Sequence, residues 1–164
     1  LILIVANNQY AYSTPISRQF ACEDLIDKAI GYGVAGHSVD GTDLTACLQV
    51  VGGAVENARN GNGPHLVVAK LLRLCGHGEH DPAEYIDPKL KQSPLGRDCL
   101  KVAEENLLQQ KWADTKAIEN WRREFRQTIE ETVAKVQREA GPDPFKENWQ
   151  AISSSHLSEI HNAI

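Results

Sequence analysis

Methionine is missing from this chain of 164 residues, even at position 1. The chain opens instead inside an apolar run, Leu1–Val5, so a carboxyl-terminal piece of a longer polypeptide is the expectation. Basic residues are too few for a nucleic-acid-binding face. Lys and Arg number 17 against 22 Asp and Glu, for a net charge of −5, whereas such binders present a basic patch. No stretch approaches the roughly 20 consecutive apolar residues that a membrane-spanning helix needs, and the short apolar start lacks the basic flank of a signal peptide. Neither nucleic acid nor a membrane is therefore expected as a partner. Cysteine is sparse: Cys22, Cys47, Cys75 and Cys99 are scattered and form no CxxC pair, and they read as reduced thiols of a cytoplasmic protein. Internal repeats and low-complexity tracts are also missing. What remains is ordinary. Hydrophobic content of 41% and charged content of 24% fit a soluble globular chain, and a domain near this size buries about 70% of its extended-chain surface.

The first half alternates strand and helix patterns. Leu1–Ala6 is a β-branched apolar run and predicts a buried strand. Residues from about 23 to 32 predict a short helix through Leu25, Ile26, Ala29 and Ile30. Gly36–Val39 predicts a short strand, Asp40-Gly41 a turn, and Thr42 or Asp43 a helix N-cap. The following helix carries Leu44, Leu48, Val51, Val55 and Ala58 at helical spacing. Gly52-Gly53 inside it costs helix stability, which predicts close packing against a neighbour. Gly61-Asn62-Gly63-Pro64 stops that helix. His65–Leu72 predicts a strand apolar on both faces, as buried parallel strands are. Strands separated by helices imply βαβ units and a parallel sheet. The fold class is α/β, with residues 1–98 as the sheet domain and 99–164 as a helical extension. Ile118, Trp121, Phe125, Ile129, Val133 and Val136 form one apolar stripe of that extension, read as a packing face. Gly141-Pro142-Asp143-Pro144 ends its helix.

Chemistry concentrates at two strand ends. Asn7-Asn8-Gln9-Tyr10 follows the first strand directly, and open α/β sheets bind ligands at the carboxyl ends of their strands. The side-chain oxygen of Asn8 and the backbone carbonyl of Tyr10 are the kind of ligand Mg²⁺ takes alongside phosphate oxygens; the competing reading is a turn with a locally bonded Asn. Arg73 and His77 sit where the last strand meets a stretch, Leu74–Arg97, rich in Gly, Pro, Asp and His. That stretch is too long for a mere connector. Its composition predicts no core of its own and mobility in the absence of a ligand.

These blocks occur in order with Ser13-Thr14-Pro15, Gly31-Tyr32-Gly33-Val34, Val39-Asp40-Gly41-Thr42-Asp43, Ala54–Arg59 and Arg73-Leu74-Cys75-Gly76-His77. From Leu1 to about Asp81 the chain closely resembles the alpha subunit of the thiamine diphosphate-dependent component of 2-oxo acid dehydrogenases, the pyruvate, branched-chain and acetoin enzymes. The resemblance implies a partial thiamine diphosphate-binding fold, with thiamine diphosphate and Mg²⁺ as cofactors. It implies Asn8 and Tyr10 as metal ligands, Arg73 as a cofactor contact, and His77 near the cofactor's reactive end as the catalytic candidate. It implies a beta subunit as partner in an α2β2 assembly, a lipoyl-bearing acyltransferase, and a 2-oxo acid as substrate. Tyr10–Pro15 looks closer to the branched-chain members, with pyruvate close behind and the acetoin type as the alternative. Isolated, the chain is expected to be inactive, since the family's upstream Gly-Asp-Gly, source of the metal's carboxylate, is not among these residues.

The chain also departs from the family. Gly78 stands where mitochondrial members carry a phosphorylated serine, so that switch is missing here. The family's Tyr-Arg pair appears as Tyr85-Ile86 after a one-residue shift, which implies a different ordering of the loop. Three other classes were weighed. Cys75, His77 and His80 match no common zinc spacing. Gly36-His37-Ser38-Val39-Asp40 imitates a hydrolase elbow, with His37, His65 and His77 as formal partners, but Asp40 replaces the closing glycine the tight turn needs. A non-catalytic helical scaffold would suit the tail alone.

Overall fold

The computed structural model describes residues 1–141. The chain divides into two units, Leu1–Ile118 and Glu119–Ile164. The first unit is built on a three-stranded parallel sheet of β1 (Ile2–Asn7), β4 (Ala35–Asp40) and β5 (His65–Lys70), in the order β1-β5-β4. Register runs from Ile2 opposite His65 to Asn7 opposite Lys70, and from Ala35 opposite His65 to Asp40 opposite Lys70. The three carboxyl ends therefore lie level along one edge.

The central strand explains its own sequence. His65–Val68 are all buried, because β5 has a neighbour on each side and a layer on each face. Alternate residues serve opposite faces. Leu66 and Val68 pack with Ala29, and against Val5, Leu25, Ile26 and Val34. Val67 packs with Val39 and Ala54, and against Val50 and Val51. A fully buried Val such as Val67 or Val68 contributes about 1.5–3 kcal/mol relative to an exposed one.

The second face is covered by α2 (Leu44–Arg59), which begins where predicted. Asp43 is its N-cap and accepts from the amides of Thr45 and Ala46 at 2.9 and 3.1 Å. The expectation about Gly52-Gly53 is corrected. Both glycines are exposed, and a Cβ on either would meet nothing within 4 Å. The helix predicted over 23–32 is shorter than expected. A 3₁₀ turn, Leu25–Asp27, is closed by a capping box on Asp24, and only α1 (Lys28–Tyr32) is α-helical. The Asp24 carboxylate is engaged by Lys70 Nζ from β5 and then by the Ile26 amide, which lowers its pKa against the opposing effect of burial.

Two features were not foreseen. Residues after β1 fold back as a hairpin of β2 (Tyr10–Ala11) and β3 (Thr14–Pro15). The stretch 74–97 contains α3 (Pro88–Gln92) and a 3₁₀ turn, Pro94–Gly96. It also has a core, which corrects the expectation that it could make none. Leu72, Ala83 and Ile86 are buried together, with Tyr10, Tyr85, Leu90 and Leu95 against them. Beyond it, α4 (Cys99–Gln109) closes the first unit's helical part. A single helix, α5 (Thr115–Arg138), begins in this unit and supplies the described residues of the second. Ile118 on its stripe is buried, whereas Trp121, Phe125, Ile129, Val133 and Val136 are exposed among the described residues. Pro142-Asp143-Pro144 of the predicted helix stop lies outside the described residues.

Candidate functional site

The carboxyl edge of the sheet brings together two loops, one after β1 and one after β5. Asn8 begins the first. Its Oδ1 accepts from the Tyr10 amide at 3.0 Å, and the preceding Asn7, buried, accepts from the Gln9 amide at 3.3 Å. The local Asx turn weighed from the sequence is thus present. It does not exhaust Asn8, because a carbonyl oxygen has a second lone pair. Tyr10 pairs with Pro15 across the hairpin. Proline has no N–H to give, so the Tyr10 carbonyl receives no ladder bond from its opposite residue. Neutral oxygens such as these are the type a hard cation shares with phosphates. Among the described residues no cluster of three or more His, Cys, Asp or Glu side chains is placed to hold a metal. The donor set fits Mg²⁺ only as a minor partner of an anionic ligand's oxygens.

The second loop is organised by Arg73. Its Nη2 donates to the Tyr12 carbonyl at 2.8 Å and to the Tyr85 hydroxyl. The Tyr85 hydroxyl donates in turn to Asp81 Oδ2 at 2.6 Å, which also accepts the His77 amide at 2.7 Å. Asp81 Oδ1 takes the Ala83 amide at 2.9 Å. Arg73 and Asp81 are thus joined through Tyr85. These bonds hold the Asp81 carboxyl down at about 2, the Tyr85 hydroxyl first and the His77 amide second. Tyr85 is pushed up, by burial and then by its bond to Asp81. The loop must turn tightly to do this. A Cβ at Gly76 would lie 1.9 Å from the Asp81 carbonyl oxygen, so only glycine fits there.

His77 is exposed and stands over this network. Arg73 Nη1 lies 3.4 Å from its Nδ1. A guanidinium can only donate, so Nδ1 accepts and the neutral imidazole carries its proton on Nε2. Nε2–H is the donor left for a ligand. Arg73 Nε is buried with no partner. The structure joins Arg73 and His77 directly, and joins them to Tyr10 through Tyr85: the Tyr10 hydroxyl donates to the Tyr85 carbonyl at 3.4 Å and accepts from the Asp87 amide at 3.3 Å. Asn8 bonds within its own turn and reaches neither Arg73 nor His77 by a hydrogen bond. It lines instead a small cleft of about 180 Å³ with Asn7, Tyr10, Ile16, Gln19 and Phe20.

The loop's far end returns to the sheet. Arg97 donates to Thr42 Oγ1 at 2.7 Å and to the Asp40 carboxylate, and the Leu72 amide donates to the Leu95 carbonyl at 2.8 Å. Burial works to raise the Asp40 pKa, but the Thr42 hydroxyl and amide and the Arg97 charge outweigh it and leave it lowered. The sequence reading missed Tyr12 in its structural role, whereas the Tyr85-Ile86 departure had marked Ile86. The hydrolase imitation dissolves, because Ser38 lies mid-strand in β4 rather than in a strand-to-helix turn, and His37 Nε2 pairs with His65 Nδ1 at 3.0 Å.

The carboxyl edge of the parallel sheet thus carries two polar loops, one with the Asn8–Tyr10 turn and one with the Arg73–His77 pair. Residues 1–145 match the dehydrogenase E1 component family, and the chain belongs to it. It is 32% identical over 145 residues to the alpha subunit of acetoin:2,6-dichlorophenolindophenol oxidoreductase of Cupriavidus necator, covering 88% of this chain and 44% of the relative. It is 46% identical over 85 residues to the alpha subunit of 3-methyl-2-oxobutanoate dehydrogenase of Mycobacterium tuberculosis, covering 51% and 23%. It is 29% identical over 144 residues to the alpha subunit of the pyruvate dehydrogenase E1 component of Rhizobium meliloti, covering 87% and 41%. The chain thus spans less than half the length of each of these relatives.

Proposed function

We propose that this chain is the alpha-subunit portion of a thiamine diphosphate-dependent 2-oxo acid dehydrogenase. Its whole enzyme decarboxylates a 2-oxo acid and passes the acyl unit to a lipoyl group on a partner acyltransferase. The observation that carries the reading is the Arg73–His77 pair, held at the carboxyl edge of β5 beside the Asn8–Tyr10 turn at the carboxyl edge of β1. Membership of the dehydrogenase E1 component family supports it.

When bound, thiamine diphosphate supplies the nucleophilic carbon and the ring that takes up the electrons released with CO₂. The chain's own residues do the rest. Asn8 Oδ1 and the Tyr10 carbonyl are the oxygens that would hold Mg²⁺. His77, its Nδ1 occupied by Arg73, presents Nε2–H to an anionic oxygen, either of the diphosphate or one developing on the substrate. Arg73 adds a fixed positive charge. The beta subunit, in an α2β2 assembly, completes the cleft, and the four free cysteines suit a reducing, cytoplasmic setting.

The identity of 46% over 85 residues to a 3-methyl-2-oxobutanoate dehydrogenase subunit favours a branched-chain substrate, with pyruvate close. The acetoin type is the second reading, favoured by the longer match, 88% of this chain. Rates of decarboxylation of 3-methyl-2-oxobutanoate, pyruvate and acetoin cleavage by the assembled enzyme decide between them. The branched-chain acid is expected to give the highest kcat/KM. A preference for acetoin with no turnover of either 2-oxo acid overturns the assignment.

A further inference from the structure

Tyr12 is an aromatic residue where the chain can least comfortably hold one. Its φ is +52°, in the left-handed region that bulky residues seldom enter. Such a conformation persists only where the surroundings impose it. Three contacts do so here. The Tyr12 carbonyl accepts from Arg73 Nη2 at 2.8 Å. Its ring meets His77 edge-on, with centroids 4.9 Å apart and planes at 77°. Its other neighbour is Tyr85, whose ring runs nearly parallel at 28° with centroids 6.3 Å away.

We propose that Tyr12 is a positioning residue for His77. An exposed histidine on a loop ordinarily samples several rotamers. Here the Tyr12 ring blocks one side of the imidazole at the distance and angle aromatic pairs prefer. Through its carbonyl, the same residue anchors the guanidinium whose other nitrogen donates to His77 Nδ1. Tyr12 therefore acts twice on one imidazole: its ring sets the plane, and its backbone steadies the donor that selects the Nε2–H form. Arg73 alone would leave the plane free, since a single bond of 3.4 Å permits rotation about it. The functional weight of this role rests on the reading that His77 faces the anionic ligand.

The two levels are separable by experiment. Tyr12→Gly keeps a backbone suited to positive φ and removes only the ring, while Tyr12→Phe keeps the ring and removes the hydroxyl. His77 ring resonances are observed by NMR in the chain itself. In the unsubstituted chain they are expected to be displaced from their free-imidazole positions by the Tyr12 ring current, with ring ¹⁵N shifts of the Nε2–H form. Tyr12→Phe is expected to preserve both signatures. Tyr12→Gly is expected to lose the displacement and to average the His77 side-chain rotamers, read from side-chain couplings, while the retained carbonyl and Arg73 keep the Nε2–H form and the circular-dichroism spectrum is unchanged. A single, unchanged His77 rotamer in Tyr12→Gly overturns the proposal. In the assembled enzyme, Tyr12→Gly is expected to lower kcat of order tenfold to a hundredfold, as misplacement of a reacting group does, with KM nearly constant. If the His77 signals change and kcat does not, the positioning stands and the assignment of His77 to the active site fails.

Discussion

Asp81 shows how much one carboxylate can organise without touching a ligand. It takes the His77 and Ala83 amides and the Tyr85 hydroxyl, and so ties the turn bearing His77 to the side chain that Arg73 grips. Its carboxyl is held at about 2 in the folded chain, below the ordinary value near 3.9. A depressed carboxylate contributes stability that is complete above the unfolded value and is lost as pH falls toward the folded one. Amide exchange at His77 and Ala83 is therefore expected to accelerate between about pH 4 and pH 2, and Asp81→Asn is expected to remove that acid step; exchange with no dependence on pH beyond its chemical rate in this window would contradict the network. His77→Ala is expected to lower turnover of the assembled enzyme by roughly 100-fold or more while leaving the melting curve in place, since the side chain is exposed. Unchanged turnover would make the histidine structural only. Asn8→Ala removes one oxygen from a cation that tolerates few substitutes. Titration of the assembled enzyme with Mg²⁺ and thiamine diphosphate is expected to show weaker binding, and an unchanged titration would take Asn8 out of the site.

At the scale of elements, the loop 74–97 behaves as a small packed unit. Ile86, 1% exposed, is its centre, and it stands where the resembled family carries an arginine. Hydrogen exchange without cofactor is expected to show the amides of Leu72 and Ile86 protected, and Ile86→Arg is expected to abolish that protection, because a buried guanidinium there has no partner. Protection that arises only after thiamine diphosphate is added would restore the mobile loop expected from composition. Composition misled at this place for a physical reason. Ala83, Ile86, Leu90 and Leu95 are too widely spaced to show one periodicity, and their partners come from elsewhere, Leu72 from just past the end of β5 and Tyr10 from β2. The β-strands were easier. Leu1–Val5 and Leu66–Val68 are local apolar runs, and Asp43 announces α2 by its cap alone. Only Leu66–Val68 is buried, however, and the expectation of a buried first strand is corrected, because β1 is an edge strand and Leu1, Leu3 and Ile4 are exposed within this chain. Gly52-Gly53 was read as a packing surface, yet it faces open space within this chain. The catalytic candidate His77 and the cofactor-contact candidate Arg73 were picked out by their motif. Tyr12, which holds both, was not, because a contact across 61 residues leaves no trace in local pattern.

For the whole molecule, the proposed function makes the chain the supplier of part of a site. Asn8 and Tyr10 offer neutral oxygens, and no carboxylate cluster accompanies them among the described residues. Calorimetry of Mg²⁺ and thiamine diphosphate with this chain alone is therefore expected to show weak binding, and tight saturable binding would mean a more complete site. The account stands or falls on CO₂ release from 3-methyl-2-oxobutanoate or pyruvate by the complete enzyme assembled with this chain and its beta partner. Release is expected to require both thiamine diphosphate and Mg²⁺ and to collapse when the chain carries His77→Ala; release indifferent to thiamine diphosphate, or none from any 2-oxo acid, would contradict it.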